Sequence, residues 1–161
     1  AHGVISALLF VVVGGLKERW GAVRLYAPLP ALREHAPRLG FVLILGLAAG
    51  LALPGLAGFW GEVAAVYSAW VSDLGPGSLL KVCAALAALG AVLAAAYTLR
   101  MARLLWVGEA AVPVEPPGAS ETVGAERAVL AVLAVAIVAI GLVPHLVWSV
   151  TLADVTAVMG R

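Results

Sequence analysis

Glu62 is the only charged residue between Phe41 and Trp70. It lies eight residues after Pro54, in the run Leu53-Pro54-Gly55-Leu56-Ala57-Gly58-Phe59-Trp60-Gly61-Glu62. A proline-glycine pair interrupts a helix, and an acid kept beside such a break in an apolar stretch is expensive. At the centre of a bilayer it costs about 2.5–3.5 kcal/mol on insertion scales. The carboxylate can relieve that cost by taking up a proton, or by facing a cation or a water chain inside a bundle. Both states switch with modest input, which is what a proton relay needs. The static alternatives are a carboxylate that caps free N–H groups where the helix restarts, or one paired permanently with a base. His2 is the second candidate. It stands about 21 Å of helix from Leu16, the end of the first apolar block, and an imidazole changes charge near neutral pH. By itself a histidine there is more ordinarily a packing or hydrogen-bonding residue. Lys81, at the start of the third apolar block, is a secondary candidate, and snorkelling to headgroups accounts for it as well.

Other chemistries find no support in the residues. The sequence has no GxxxxGK[ST] loop, no GxGxxG turn, no HExxH, no GxSxG and no clustered Cys/His set. Cys83 is the single cysteine, which excludes an internal disulfide; in its apolar run it reads as a small packing residue. A net charge of +1 without a basic, aromatic-laced stripe argues against nucleic acid. No catalytic, metal or cofactor residues are expected. The chain's work would be to move charge, with protons and water as its only small-molecule substrates.

The elements that must position Glu62 follow from composition. Of 161 residues, 63% are hydrophobic and 12% charged, with mean hydropathy +1.07. A soluble domain would be near 45–50% apolar and about 25% charged. The expected fold is all-α: one polytopic transmembrane bundle over residues 1–161, with about four spans. The first apolar run ends at Leu16. From Gly3 it makes about 21 Å of helix, short of the roughly 30 Å hydrocarbon core, so the first helix is expected to continue upstream of His2. The second block, Leu39 to Ser72, contains the break. The third runs from Leu79 to about Trp106, and the fourth from Ala128 to about Val150. A basic loop, 17–38, joins the first two; a proline-rich linker, 108–125, joins the last two.

The second block could make two short crossings or one broken crossing. Residues 52–59 carry no charge and no strong hydrogen-bonding side chain. A turn in water normally would, so a single discontinuous helix broken at Pro54-Gly55 is the favoured reading. Counted from Ser72, Glu62 then lies about 15 Å deep. One crossing also puts every lysine and arginine except Lys81 and Arg161 on one side, which the positive-inside rule makes cytoplasmic: loops 17–38 and 107–127. Lys17-Glu18-Arg19, Arg33-Glu34 and His35 read as solvated loop charges, Arg100 and Arg103 as anchors, and His145 as interfacial. Trp20, Trp70, Trp106 and Trp148 fall near block ends, as interfacial anchors do. The alanine-rich third block, and the Gly46/Gly50 pair of the second, suggest close helix packing.

Three segments together resemble a known family. Ala1-His2-Gly3-Val4-Ile5-Ser6-Ala7-Leu8-Leu9-Phe10 with Gly14-Gly15-Leu16-Lys17-Glu18-Arg19 looks like the (S/A)HG…ALF…VG…ER signature of antiporter-like membrane subunits. Leu53 to Glu62 looks like their GLPGLxGFxGE signature, and Tyr97-Thr98-Leu99-Arg100 like the Y-x-L-R helix end that follows. The set is most similar to the chain M type subunits of proton-pumping NADH:quinone oxidoreductase, respiratory complex I. The fit covers residues 1 to about 108. Gly21 to Tyr26 departs from the Thr-Arg-Asp run usual after the ER.

The resemblance implies a fourteen-helix subunit with two inverted five-helix repeats, each holding a discontinuous helix; this chain would be its last four helices. It implies that His2 and Glu62 belong to a charged axis along the membrane midplane. Related chains usually carry Lys after the break, so Gly61-Glu62 favours chain M. The expected function is proton translocation, coupled to electron transfer in other subunits. The expected setting is a bacterial inner membrane, with lipid and other membrane subunits of a respiratory complex as partners. A cation/proton antiporter or membrane-bound hydrogenase subunit is one rival, and a non-conducting membrane scaffold is another.

Overall fold

The computed structural model describes residues 1–21, 31–72, 77–108, 122, 124–145 and 148–149. Its described elements are helices: α1 (His2–Trp20), α2 (Leu32–His35), α3 (Pro37–Gly50), α4 (Phe59–Val71), α5 (Gly77–Trp106) and α6 (Gly124–Leu142). Leu79–Trp106 and Gly124–Leu142 are long and apolar enough to cross a membrane. α1 is as long as α6, but Lys17, Glu18 and Arg19 lie within its last turn and a half. These charges were expected in a loop; the helix instead runs through them to Trp20. At the other end of the loop, α3 begins at Pro37, where a missing N–H is no loss in a first turn. The linker expected over 108–125 falls mostly outside the described residues, and Gly124 and Ala125 already belong to α6.

α1 packs along both α3 and α6. Ile5, Leu8, Val12 and Leu16 present one stripe at helical spacing to Leu39, Leu43, Leu130 and Ile137, and all are buried. Contacts at both ends fix the directions. Leu8 and Leu9 abut Gly46, and Gly15 abuts Glu126. α1 is therefore antiparallel to α3 and α6. The ends near Arg19, Pro37 and Glu126 gather at one level, and those near His2, Gly50 and Gly141 at the other. Gly46 makes the close approach expected of it, but Gly50 faces open space.

α5 packs along both α3 and α4. Ala102, Arg103 and Trp106 stand beside Phe41 and Ile44, whereas Ala84, Ala85 and Ala88 stand beside Val63, Val66 and Trp70. One continuous helix of 30 residues, about 45 Å long, thus runs antiparallel past α3 and α4 in turn. Its alanines at 84, 85 and 88 lie where α5 packs closely along α4, as the sequence suggested. Ala84 is buried, but most of the others are exposed, and so is Cys83. α4 buries no residue, and Tyr67, Trp70, Leu86, Val92, Leu93 and Tyr97 face outward.

Between α3 and α4 the chain leaves the helix through a Schellman turn. Leu53 N–H donates to Ala48 O at 3.2 Å and Ala52 N–H to Ala49 O at 3.1 Å. Ala52 holds the left-handed position, φ 53°, where a methyl costs about 1–2 kcal/mol. The helix therefore ends at Gly50, and Pro54 and Gly55 sit inside the break rather than at its start. The break lies against the end of α6 so closely that a Cβ on Gly141 would overlap the Gly55 carbonyl oxygen and Leu56 Cα.

That contact is testable in the complete subunit. Gly141→Val should lower thermal stability by about 1–3 kcal/mol through overpacking. Gly90→Ala, on the open face of α5 where a Cβ meets nothing, should be neutral or stabilise by about 0.4–1 kcal/mol. Thermal unfolding in detergent reads both.

Candidate functional site

The turn between α3 and α4 satisfies part of its own backbone. Besides the Schellman pair, Leu56 N–H donates to Leu53 O and Phe59 N–H to Leu56 O, each at 3.1 Å. Glu62 N–H then donates to Gly58 O at 3.3 Å and α4 is under way. Trp60 ties this restart to α6: its Nε1–H donates to Gly141 O at 2.8 Å. Gly141 lies in the last turn of α6, where carbonyls lack intrahelical partners. Trp148 meets Trp60 edge to face with centroids 6.0 Å apart, and Phe59 does so at 5.1 Å. Trp148 thus packs on the break as well as lying at a block end.

Two residues along a helix rotate the side chain by about 200°. With Trp60 turned to α6, Glu62 faces the other way, toward α5. It lines an open groove of about 460 Å³ with Val63, Val66, Trp70, Ala84 and Ala88. The walls are apolar, and the side chain of Glu62 makes no hydrogen bond or ion pair among the described residues. No side-chain bond caps α4, so the capping role considered for this carboxylate is not adopted. Glu62 does lie in the first turn, at the positive end of the helix dipole.

His2 is exposed at the start of α1, with Nε2 3.3 Å from Ser6 Oγ one turn on. The antiparallel register sets it at the level of the break, but on a helix that packs along α3 and α6 rather than α4. The structure does not bring His2 and Glu62 into contact. Lys81 is exposed on α5, one turn nearer the helix start than Ala84 and Ala85. It makes no ion pair or hydrogen bond among the described residues.

Sequence reasoning missed two features. The first is the Trp60 bond, since nothing in the run 59–62 names a partner 81 positions away. The second is a charged clamp at the opposite level. Arg19 was read as a solvated loop charge, but it is buried and pairs bidentately with Glu126: Nη2 donates to Oε2 at 2.7 Å and Nη1 to Oε1 at 3.1 Å. Nη1 also donates to Gly15 O at 2.9 Å. Gly15 must lack a side chain for this, because a Cβ there would overlap Glu126 Oε1. Arg33 and Glu34, by contrast, form an exposed pair at 3.2 Å, as expected of loop charges.

The family model described as NADH:quinone oxidoreductase/Mrp antiporter, TM, matches residues 1–100. The chain belongs to this family. NAD(P)H-quinone oxidoreductase chain 4 1 of Synechococcus sp. (strain JA-3-3Ab) is 33% identical over 152 residues, covering 91% of this chain and 28% of that protein. NADH-quinone oxidoreductase subunit M of Rickettsia felis is 32% identical over 109 residues, covering 68% of this chain and 20% of that protein. A Nostoc sp. NAD(P)H-quinone oxidoreductase chain 4 1 is 30% identical over 155 residues, covering 91% and 27%. The chain thus spans between a fifth and three tenths of the length of these curated relatives. Membership makes it part of a membrane protein and accounts for outward apolar faces that water would not tolerate. The matched region contains the break, Glu62 and His2, but not the acid of the Arg19–Glu126 clamp.

The clamp's side chains are 10% and 22% exposed. Removing one partner strands the other charge, so Arg19→Gln should destabilise the complete subunit by about 3 kcal/mol or somewhat less. The double replacement Arg19→Met with Glu126→Leu should recover most of that loss. Thermal melting of the single and double variants reads the difference.

Proposed function

We propose that this chain is the part of a proton-translocating membrane subunit of NADH:quinone oxidoreductase that carries a discontinuous helix and a protonatable relay carboxylate. α3, the break and α4 form one interrupted crossing, about four crossings make up the chain, and Glu62 is the relay group. The observation that carries the reading is the setting of Glu62. It follows directly on a break that is partly closed by its own turns, it is neither capping nor paired among the described residues, and it lines an apolar groove. An unpaired carboxylate beside a helix break suits a relay, whereas one held in an ion pair serves packing.

A single interrupted crossing is favoured by α5, which runs continuously past α3 and α4 instead of lying beside a hairpin of the two. His2, at the level of the break, passes protons toward Glu62 through water or side chains of the rest of the subunit, since the two helices do not pack together. Lys81 keeps its ammonium at the membrane boundary. Oxidation of NADH and reduction of quinone belong to other subunits; this chain's residues only hold and transfer protons. The gathering of Arg19, Arg38, Arg103 and Arg127 at one end supports the reading, by the positive-inside rule, that loops 17–38 and 107–127 lie on the cytoplasmic face of a bacterial inner membrane. The outward faces of α4 and α5 meet lipid or neighbouring membrane subunits. The names of the relatives favour this assembly over a free-standing cation/proton antiporter or a hydrogenase arm.

In the assembled complex, Glu62→Gln should lower the number of protons moved per electron while NADH dehydrogenase activity with an artificial acceptor persists. Glu62→Asp should retain part of the pumping. Unchanged stoichiometry in the glutamine variant would count against the relay.

A further inference from the structure

α4 has few means of fixing its own orientation. None of its residues is buried, and the face it sets against α5 meets the small side chains of Ala84, Ala85 and Ala88. Such residues permit close approach, but they interlock too little to resist rotation about the helix axis. α6 is the opposite case. Leu130, Ile137 and Gly141 form its buried side, α1 packs along it, and Arg19 clamps its Glu126. The Gly141 carbonyl, near the end of α6, is therefore a fixed acceptor. The Trp60 indole reaches it at 2.8 Å, and Trp148 meets the same indole edge to face.

We propose that Trp60 is the positioning residue for Glu62: its indole N–H, held by the Gly141 carbonyl, sets the rotation of the first turn of α4 and so the direction of the carboxylate. The proposal rests on the relay role of Glu62. The two side chains stand about 200° apart on the helix, so holding one against α6 aims the other into the groove beside α5. Gly61, between them, makes no competing contact, since a Cβ there would meet nothing. Away from water, releasing the bond leaves an N–H and a carbonyl unpaired, which favours this one orientation over its neighbours. Gly141 also lets α6 come this near, because Gly55 O and Leu56 Cα fill the space its side chain would need. The acceptor lies outside the region that matches the family model, residues 1–100. The break and the last described long helix thus act as one unit in presenting Glu62.

The test uses the whole complex. Trp60→Phe keeps an aromatic ring and loses the donor. Trp60→Gln loses the ring but carries an N–H donor the same number of bonds from Cβ. Rotation of α4 is read from disulfide formation in a Cys83→Ala background, comparing Val66→Cys with Ala65→Cys, each paired with Ala84→Cys. In the otherwise unaltered complex the Val66 pair should form faster, because Val66 and Ala84 line the same groove. Trp60→Phe should reduce that preference by roughly three- to tenfold, the worth of about one hydrogen bond, and Trp60→Gln should keep most of it. Protons moved per electron should follow the same order, falling toward the Glu62→Gln level in Trp60→Phe and staying higher in Trp60→Gln. A preference unchanged in both variants, or lost in Trp60→Gln and kept in Trp60→Phe, would overturn the proposal. So would a lost preference in Trp60→Phe with pumping intact while Glu62→Gln pumps poorly. Full pumping in Glu62→Gln would remove the relay instead, and the cysteine pairs would still decide whether the indole bond sets α4. Should Trp60→Phe fail to assemble, Trp60→Gln decides alone, since loss of the preference there sinks the idea.

Discussion

An interrupted helix among apolar residues survives only if every N–H and C=O freed by the interruption finds a partner without water. In this chain, turns within residues 48–62 supply part of those partners, and α6 packs against them. Gly141 gives the break room, and Trp60 returns a bond to the Gly141 carbonyl. Ala52, in a left-handed conformation, closes the turn at the end of α3, and Trp60 and Trp148 pack where α6 meets the restart. The bond that fixes Trp60 on α6 turns Glu62 toward α5.

Two carboxylates in the chain have opposite fates for a clear electrostatic reason. Glu126 accepts two bonds from Arg19, which also donates to Gly15 O, so its charge is neutralised in place and serves packing between α1 and α6. Glu62 has no such partner among the described residues. The relay proposed above calls for a carboxylate of the second kind. The clamp and the break lie at opposite levels of the bundle, so the paired acid sits apart from the one that has no partner among the described residues.

The forces that hold α1, α3 and α6 together differ from those of a soluble core. Lipid tails are as apolar as Leu8 or Ile137, so burial of such side chains contributes close contact rather than escape from water. That makes the close approach at Gly46, the Arg19–Glu126 clamp and the Trp60 bond disproportionately important. α4 and α5 have little of this within the chain: their outward side chains are large and apolar.

The helical class, the non-helical stretch around Pro54-Gly55 and the singularity of Glu62 were all legible in the sequence, because composition and the spacing of proline, glycine and charge act locally. The resemblance carried by 1–19 and 53–62 was legible too, and it is the family to which the chain belongs. What stayed hidden depended on distant partners. Lys17-Glu18-Arg19 looks like a loop because charge normally ends an apolar block; only the proximity of Glu126, 107 positions away, keeps Arg19 buried in the helix. Gly50 and the exposed alanines of α5 look like packing surfaces, but local smallness does not say whether a neighbour arrives. Sequence therefore determined which residues are costly and where the chain must unwind. Tertiary structure decided which costs are offset inside the chain and which acid is left without a partner among the described residues, because those outcomes depend on contacts between helices far apart in the chain.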